Sequence, residues 1–170
     1  ARWANMGSSM PRSIFRTCVM TTALLGAGVL AGNLALAAPG DEWPNTGNDR
    51  GAQRYSPLTQ ITPANVNSLK VAWTYHMKPA DATRVATTQT TPLVVDGVMY
   101  LGSPYGQIVA LDPVSGKELW NYKLPGNIRP APRGMAYWPG DKDHAPELLF
   151  GTNDGKLAAI NVKTGKPAEK

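Results

Sequence analysis

The chain has 170 residues, of which 42% are hydrophobic and 8% aromatic, a composition that excludes collagen and a disordered chain and leaves room for about one domain. Its 17 glycines and 15 prolines argue against a long helical bundle and suit short elements joined by tight turns. Three of the 17 basic residues precede position 38, which leaves 14 basic against 12 acidic residues, so nucleic-acid binding is not indicated.

The first predicted element is a secretory signal peptide at residues 10–37. A basic stretch from Met10 to Arg16 precedes an uncharged apolar run that ends in the small-residue pattern Ala35-Leu36-Ala37. We expect cleavage after Ala37 and export to the periplasm. The alternative is an uncleaved membrane anchor, because the apolar run approaches the roughly 20 residues that span a bilayer. Residues 1–9 precede Met10 and are read as upstream sequence.

The lone cysteine, Cys18, lies inside this apolar run and lacks the small residues that a lipoprotein cleavage box needs. A mature chain that starts at Ala38 would therefore contain no cysteine in residues 38–170. Packing, rather than a disulfide, has to stabilise this part of the protein in an oxidising compartment.

A repeat of 49 residues organises the second half of the chain, where Tyr100–Lys117 matches Leu149–Lys166 without a gap. The first copy contains two β-runs, Val98–Leu101 and Gln107–Leu111, and a turn at Asp112–Lys117. A third β-run begins after the turn. Repeats of this length that are built from short strands and turns predict β-propeller blades, which stack on one another because no blade covers both of its own faces. The identical positions are Gly102/Gly151, Gly106/Gly155, Ala110/Ala159, Gly116/Gly165 and Lys117/Lys166.

A further β-run, Leu69–Tyr75, resembles the run around Trp120 and is expected to complete another blade. Residues 38–170 hold fewer than three repeats, whereas closed propellers usually have at least four blades, so we expect the first part of a truncated propeller domain. Trp73 and Trp120 occupy equivalent repeat positions, which predicts packing between blades rather than ligand stacking.

Seven stretches of the chain carry a family resemblance, and in chain order they are Asp41–Pro44, Gln53–Leu58, Ile61–Val66, Leu69–Trp73, Thr91–Tyr100, Ala110–Trp120 and Arg133–Asp141. Together they resemble the quinoprotein dehydrogenases, the family that uses pyrroloquinoline quinone (PQQ). The resemblance covers about Asp41 to Lys170. The most specific parts are the entry segment, which holds the four stretches between Asp41 and Trp73, and the segment Arg133–Trp138. The stretch Ala110–Trp120 resembles the family's tryptophan-docking motif.

This resemblance implies an all-β fold, the first blades of an eight-bladed periplasmic propeller that holds PQQ and a calcium ion at its centre. It implies oxidation of sugars, polyols or alcohols, with electrons passed to ubiquinone or a cytochrome of the respiratory chain, and it allows peripheral association with the membrane. The quinone would remove a hydride while a carboxylate base takes the hydroxyl proton. The base and the calcium ligands are expected in later blades, so no catalytic or metal-binding residue is assigned here, and residues 38–170 alone are not expected to turn over substrate.

Arg133 is the first candidate for a cofactor contact, because it lies in the family's Arg-Gly-aromatic segment. PQQ carries three carboxylates, and a guanidinium can pair with a carboxylate through two charge-assisted hydrogen bonds. The alternative is a surface arginine that caps the loop after Pro130-Ala131-Pro132.

Gln89 is the second candidate, because members of the family often carry a glutamate at this position, near the quinone. A glutamine keeps the reach for hydrogen bonding and loses the charge, so it could donate to a quinone oxygen. The alternative is a solvent-facing amide in the threonine-rich run Thr87–Thr91.

Two departures from the family pattern bear on the branch. Alcohol-oxidising members place two adjacent cysteines shortly before the Arg-Gly segment, where this chain has Arg129–Pro132. The second repeat also ends in Lys166–Glu169 rather than in a tryptophan. We therefore expect a glucose dehydrogenase-like protein of the glucose, quinate and polyol branch. The rival hypothesis is a non-catalytic periplasmic propeller scaffold with quinoprotein-like repeats.

The two histidines are predicted to be loop residues. Neither His76 nor His144 has a second histidine, a cysteine or a carboxylate at the spacing of a metal site. Asp141 and Asp143 form a polar turn that offers fewer oxygen ligands than calcium requires. We expect this turn to be a solvated loop.

Overall fold

A computed structural model describes residues 42–168, so the predicted signal peptide, residues 1–9 and the start of the mature chain lie outside the described residues. Apart from one short 3-10 helix, the regular secondary structure of the described part is all β-strand, which confirms the predicted fold class. No helix within residues 42–168 has the length and apolarity needed to cross a membrane. Its elements are a 3-10 helix at Val66–Ser68 and the strands β1 Leu93–Val95, β2 Val98–Ser103, β3 Gln107–Leu111, β4 Glu118–Lys123, β5 Ala136–Trp138, β6 Glu147–Gly151 and β7 Leu157–Asn161.

The strands form two antiparallel sheets in which neighbours in sequence are neighbours in space. The first sheet has the order β1-β2-β3-β4 and the second has the order β5-β6-β7. Met99 pairs with Leu111 in the first sheet, and Leu148 pairs with Ile160 in the second. Each residue of the second pair lies 49 positions after its equivalent in the first pair. The repeat seen in the sequence is therefore a repeat of strand register.

The turns after β3 and β7 share one design. Oδ1 of Asp112 accepts the backbone N–H groups two and three residues later, at 2.8 and 2.9 Å. Oδ1 of Asn161 accepts the equivalent N–H groups at 2.9 and 3.1 Å. Because Asp and Asn both offer an acceptor oxygen at this position, either residue closes the turn.

Asp112 gives this turn a pH dependence that Asn161 cannot have. Hydrogen bonds from the backbone N–H groups of Ser115 and Val114 lower the pKa of the Asp112 carboxyl. The resulting stabilisation is complete above the ordinary aspartate pKa of about 4 and is lost as the pH falls through the lower folded-state pKa. We expect Asp112→Asn to lose less stability than the parent protein between pH 7 and pH 3, measured by urea unfolding. Equal losses would contradict the prediction.

The first sheet has packing partners on both faces. One face presents Leu101, Val109 and Leu111, which form a cluster with Trp73, Tyr75 and Met77 of the preceding segment. The other face and the second sheet share the larger core cluster, whose buried members include Tyr100, Ile108, Ala110, Leu148, Phe150 and Ile160. The sheets therefore stack face to face, as the blade prediction requires.

Trp73 and Trp120 confirm the prediction that tryptophans link the blades. The indole N–H of Trp73 donates to the carbonyl of Pro113 at 3.1 Å, and that of Trp120 donates to the carbonyl 49 residues after Pro113 at 3.0 Å. Each ring covers a glycine of the next repeat. A Cβ at Gly116 or Gly165 would stand 2.5 or 2.6 Å from the nearest ring atom.

The segment around Leu69–Tyr75 was predicted to be a strand, and it differs from that prediction. Its second half packs on the first sheet through the half-buried Trp73 and Tyr75, yet the described residues provide no strand that pairs with it. The Tyr75 hydroxyl donates to Oε2 of Glu118 at 2.6 Å. Burial and the nearby Glu118 carboxylate both raise the pKa of Tyr75. Packing therefore holds the segment in place without a ladder of backbone hydrogen bonds.

The second sheet leaves exposed the face that corresponds to the buried Tyr100 and Ile108 face of the first sheet. Leu157 is 75% exposed, whereas its counterpart one repeat earlier, Ile108, is 0% exposed. Leu149 is likewise half-buried where its counterpart Tyr100 is buried. Within residues 42–168, the propeller is thus partial, and its next packing partner is not among the described residues.

The two sheets also differ in how their first two strands are joined. Asp96 and Gly97 make a two-residue turn between β1 and β2, and both have positive φ, at 51° and 71°. That combination is the type I′ hairpin turn, which matches the twist of paired strands. Residues 139–146 make a longer loop between β5 and β6. This insertion shifts β5 to 43 residues after β1 while β6 keeps the 49-residue spacing from β2.

Candidate functional site

The antiparallel topology sorts the connections between strands into two ends. Successive strands reverse direction, so alternate connections meet at the same end of a sheet. The entry to β1, the β2–β3 turn, the β4–β5 connection and the β6–β7 turn lie together at what we call the upper end. The β1–β2 turn, the β3–β4 turn and the β5–β6 loop lie at the lower end.

Gln89 and Arg133, the two residues predicted to bind the cofactor, meet at the upper end. Arg133 Nε donates a hydrogen bond to Oε1 of Gln89 at 3.2 Å, across 44 residues of sequence. Each residue lies shortly before an edge strand, since Gln89 comes four residues before β1 and Arg133 three residues before β5. Both side chains are exposed. The structure therefore brings the pair together, and their contact with PQQ stays a prediction.

The threonine-rich run that carries Gln89 is held by its own hydroxyl groups. The Thr90 hydroxyl donates to the carbonyl of Gly102 at 2.9 Å, which ties the run to the end of β2. Thr88 donates its hydroxyl to Oγ1 of Thr90 at 2.9 Å and accepts the backbone N–H of Thr90 at 3.1 Å. These bonds fix the run at the end of β2, and Gln89 itself is exposed, so its two interpretations both stay open.

Gly134 shapes the chain directly after Arg133. Its φ is +116°, a conformation that an L side chain rarely adopts. A Cβ there would lie 3.6 Å from Oγ1 of Thr46 and 3.7 Å from the carbonyl oxygen of Thr91. Thr46 belongs to the entry segment, which joins the first sheet where Trp43 exchanges two backbone hydrogen bonds with Val94, at 2.7 and 3.0 Å. Three stretches of chain thus converge beside Arg133.

The pair presents hydrogen-bond donors at an exposed position. In the described part of the chain Arg133 forms no ion pair, and its hydrogen bond to Gln89 uses Nε. The two Nη groups can therefore take a carboxylate in the bidentate geometry that arginine prefers. The side-chain carbonyl of Gln89 accepts the hydrogen bond from Arg133, so its amide NH₂ remains available as a donor. Such a donor set fits the carboxylate and quinone oxygens of PQQ.

The histidines do not contribute to this site. His144 lies in the β5–β6 loop at the lower end, with Nδ1 2.8 Å from Oδ1 of Asp141. Hydrogen bonds from the Asp143 backbone and the His144 side chain lower the pKa of Asp141. His76 is exposed. Over residues 42–168, no three His, Cys, Asp or Glu residues are grouped so that they could hold a metal ion.

Antiparallel sheets linked by tryptophans, with an arginine–glutamine pair at the upper end, define this part of the chain as blades of a β-propeller. Residues 43–170 match the family model described as "PQQ: Glucose/ethanol/alcohol dehydrogenase, beta-propeller domain". The chain therefore belongs to the PQQ-dependent dehydrogenase family, as its sequence predicted.

Curated relatives and a solved structure agree with this assignment. The chain is 44% identical to the dehydrogenase subunit of alcohol dehydrogenase (quinone) from Gluconobacter oxydans, over 75% of this chain and 16% of that protein. It is 38% identical to the 1-butanol dehydrogenase (cytochrome c) of Thauera butanivorans, over 85% and 20%. The crystal structure of quinohemoprotein alcohol dehydrogenase from Comamonas testosteroni superposes with a TM-score of 0.61 at 34% identity, over 77% and 19%. The chain thus spans about a fifth of the length of these relatives.

These relatives bear on the predicted branch. All three are alcohol dehydrogenases by name, so the expected preference for glucose, quinate or polyols is not confirmed. The chain is thus 34–44% identical to proteins named alcohol dehydrogenases although it lacks the adjacent cysteine pair before Arg133.

Sequence reasoning missed part of the upper end. Thr90 stands to β1 as Arg133 stands to β5, three residues before each strand, and it anchors the run that carries Gln89. A comparison of the two repeats at a spacing of 43 residues places Thr90 opposite Arg133. Only the 49-residue spacing was read from the sequence, because the insertion in the β5–β6 loop hides the shorter one.

Proposed function

We propose that the whole protein is a PQQ-dependent dehydrogenase that oxidises a hydroxyl group of an alcohol, polyol or sugar in the periplasm. Its electrons would pass to ubiquinone or to a cytochrome. The observation that carries this proposal is the contact between Arg133 and Gln89 at the upper end, in a chain that belongs to the PQQ-dependent family. Alcohols are the substrates favoured by the relatives' names, and sugars and polyols are the classes to be tested against them.

The two residues have distinct roles in this proposal. When bound, PQQ supplies the two-electron oxidation of the alcohol carbon. Arg133 binds one carboxylate of the cofactor and orients its ring, because the guanidinium is planar and always charged. Gln89 is fixed by Nε of Arg133 and presents its amide NH₂ to a cofactor oxygen. The amide of Gln89 does not titrate, so it can hydrogen-bond the bound cofactor without itself gaining or losing a proton.

Other parts of the machinery are proposed for the rest of the protein. A calcium ion and the base that accepts the hydroxyl proton are expected from blades that follow the described residues. The signal peptide at residues 10–37 would direct the protein to the periplasm, where a peripheral association with the membrane would bring it close to its electron acceptor.

The deciding experiment titrates the secreted whole protein with PQQ in the presence of calcium. We expect saturable binding, seen as quenching of tryptophan fluorescence, and dye reduction with 1-butanol, sorbitol or glucose. Arg133→Ala should weaken PQQ binding about 10- to 100-fold, because a hydrogen bond to a charged group contributes about 1.5–3 kcal/mol.

Arg50→Ala is the matched control, because Arg50 is an exposed arginine of the entry segment. It should leave PQQ binding unchanged. A folded whole protein that binds no PQQ would overturn the proposal and favour the non-catalytic scaffold. Equal binding by Arg133→Ala and the parent protein would remove Arg133 from the site.

A further inference from the structure

A second feature of the upper end is a basic cleft beside the Arg133–Gln89 pair. The cleft has a volume of about 420 Å³ and is lined by Arg84 and Arg129 together with small apolar side chains and Asn153. An adjoining cleft of about 430 Å³ shares both arginines and adds Lys123. Neither cleft is lined by an aspartate or a glutamate.

The walls of the basic cleft are fixed by hydrogen bonds between separate segments. The backbone N–H of Arg129 donates to Oδ1 of Asn153 at 2.7 Å, and the N–H of Asn153 donates to the carbonyl of Arg129 at 3.1 Å. Across the cleft, the N–H of Ala86 donates to the Tyr105 hydroxyl at 2.9 Å. Lys123 Nζ donates to the Tyr105 carbonyl at 2.5 Å. Both arginines are thus carried by backbone that is already held in place.

The charges in the basic cleft are not neutralised by the part of the chain that the structure describes. The salt bridges there involve Lys142, His144 and Lys156, and neither Arg84 nor Arg129. Outside the N-terminal segment the chain is almost balanced in charge, with 14 basic and 12 acidic residues, so two arginines in this cleft and a lysine in the adjoining one are a local concentration of positive charge. Like charges that share a cleft repel one another, and a bound anion removes that cost.

The basic cleft continues into the predicted cofactor site along both of its walls. Thr87 lines the cleft and lies two residues before Gln89, and Pro132 lines it and directly precedes Arg133. Val85, Pro104 and Pro130 add apolar surface. A small organic molecule with an acidic end near the two arginines would therefore reach toward the cofactor with its remaining carbons.

We propose that the basic cleft binds the carboxylate of the substrate, so that the whole protein oxidises hydroxy acids in preference to neutral alcohols of the same size. This inference rests on the proposed function. A concave site of this volume suits a small molecule, and the guanidinium fork matches a carboxylate. The recognition acts through charge, so it should weaken as ionic strength rises.

The test compares glycerate with glycerol as substrates of the holoenzyme. The two differ by a carboxylate in place of a hydroxymethyl group. At low salt we expect kcat/KM for glycerate to exceed that for glycerol by at least about tenfold, and the ratio to fall as salt is added. Arg84→Gln and Arg129→Gln should each lower the ratio about tenfold, mainly through KM for glycerate. Lys163→Gln is the control, because it removes an exposed cation from the lower end and should leave the ratio unchanged.

A binding measurement separates this inference from the proposed function. The whole protein without PQQ is titrated with glycerate by calorimetry, and binding should be lost in Arg84→Gln and Arg129→Gln. If the holoenzyme reduces no dye with any substrate, the proposed function fails, while this titration still reports on the cleft. An active enzyme with a substrate ratio that neither variant changes, and no glycerate binding, would overturn the inference. Binding of anionic vesicles or of an acidic cytochrome in place of glycerate, lost in the same variants, would also overturn it.

Discussion

Gly165→Ala is expected to lower the free energy of unfolding by about 2–5 kcal/mol, against about 1–2 kcal/mol for Gly155→Ala. Both glycines have positive φ, at 64° and 79°, so the backbone strain of an L residue is similar at the two positions. They differ in surroundings. A Cβ at Gly165 would lie 2.6 Å from the Trp120 ring, whereas a Cβ at Gly155 would meet nothing within 4 Å.

Urea unfolding of the two variants measures the difference between their free energies of unfolding. That difference is the cost of displacing the Trp120 ring from its contact with Gly165. A double variant sharpens the measurement. Once Trp120→Ala has removed the ring, adding Gly165→Ala should cost no more than Gly155→Ala does. Equal losses for the two glycine variants in the parent background would show that the ring does not rest on Gly165.

Leu157→Asp in the whole protein is expected to lower the free energy of unfolding by more than about 4 kcal/mol, because it would bury an unpaired charge. Leu157 is 75% exposed here, yet its counterpart Ile108 is 0% exposed under a neighbouring sheet. If the repeat continues, a further blade covers Leu157 in the same way. The fraction of soluble protein and its thermal unfolding temperature are the measurements.

Val114→Asp is the matched control for this change. Val114 is 84% exposed in the turn after β3, and its counterpart one repeat later is the charged residue Lys163. An acidic residue should be tolerated there within about 0.5 kcal/mol. If Leu157→Asp were tolerated equally well in the whole protein, no further blade would pack on the second sheet.

The sequence predicted most of the fold because the repeat is local. The runs that became β2, β3 and β4, and the turn closed by Asp112, follow from apolar runs and turn residues within about 25 residues of chain. The Leu69–Tyr75 segment was predicted less well. Its composition suits a strand, but a strand is defined by a partner, and the described residues supply none.

The sequence predicted which residues form the candidate site but not that their side chains are in contact. The family resemblance singled out Gln89 and Arg133 separately. Their 3.2 Å contact depends on how two sheets stack, which no local pattern encodes. Arg84 and Arg129 were missed as a cleft for the same reason, since they are 45 positions apart in the sequence.

The long loop between β5 and β6 has a practical consequence for protein engineering. Residues 139–146 lengthen one hairpin without disturbing the register of β6 and β7, and they do so at the lower end, across the full height of the sheets from Arg133. Lys142 and Asp143 at its tip are exposed. An epitope tag or a fluorescent label placed there would mark the protein, or tether it to an electrode, with its upper end facing away from the attachment.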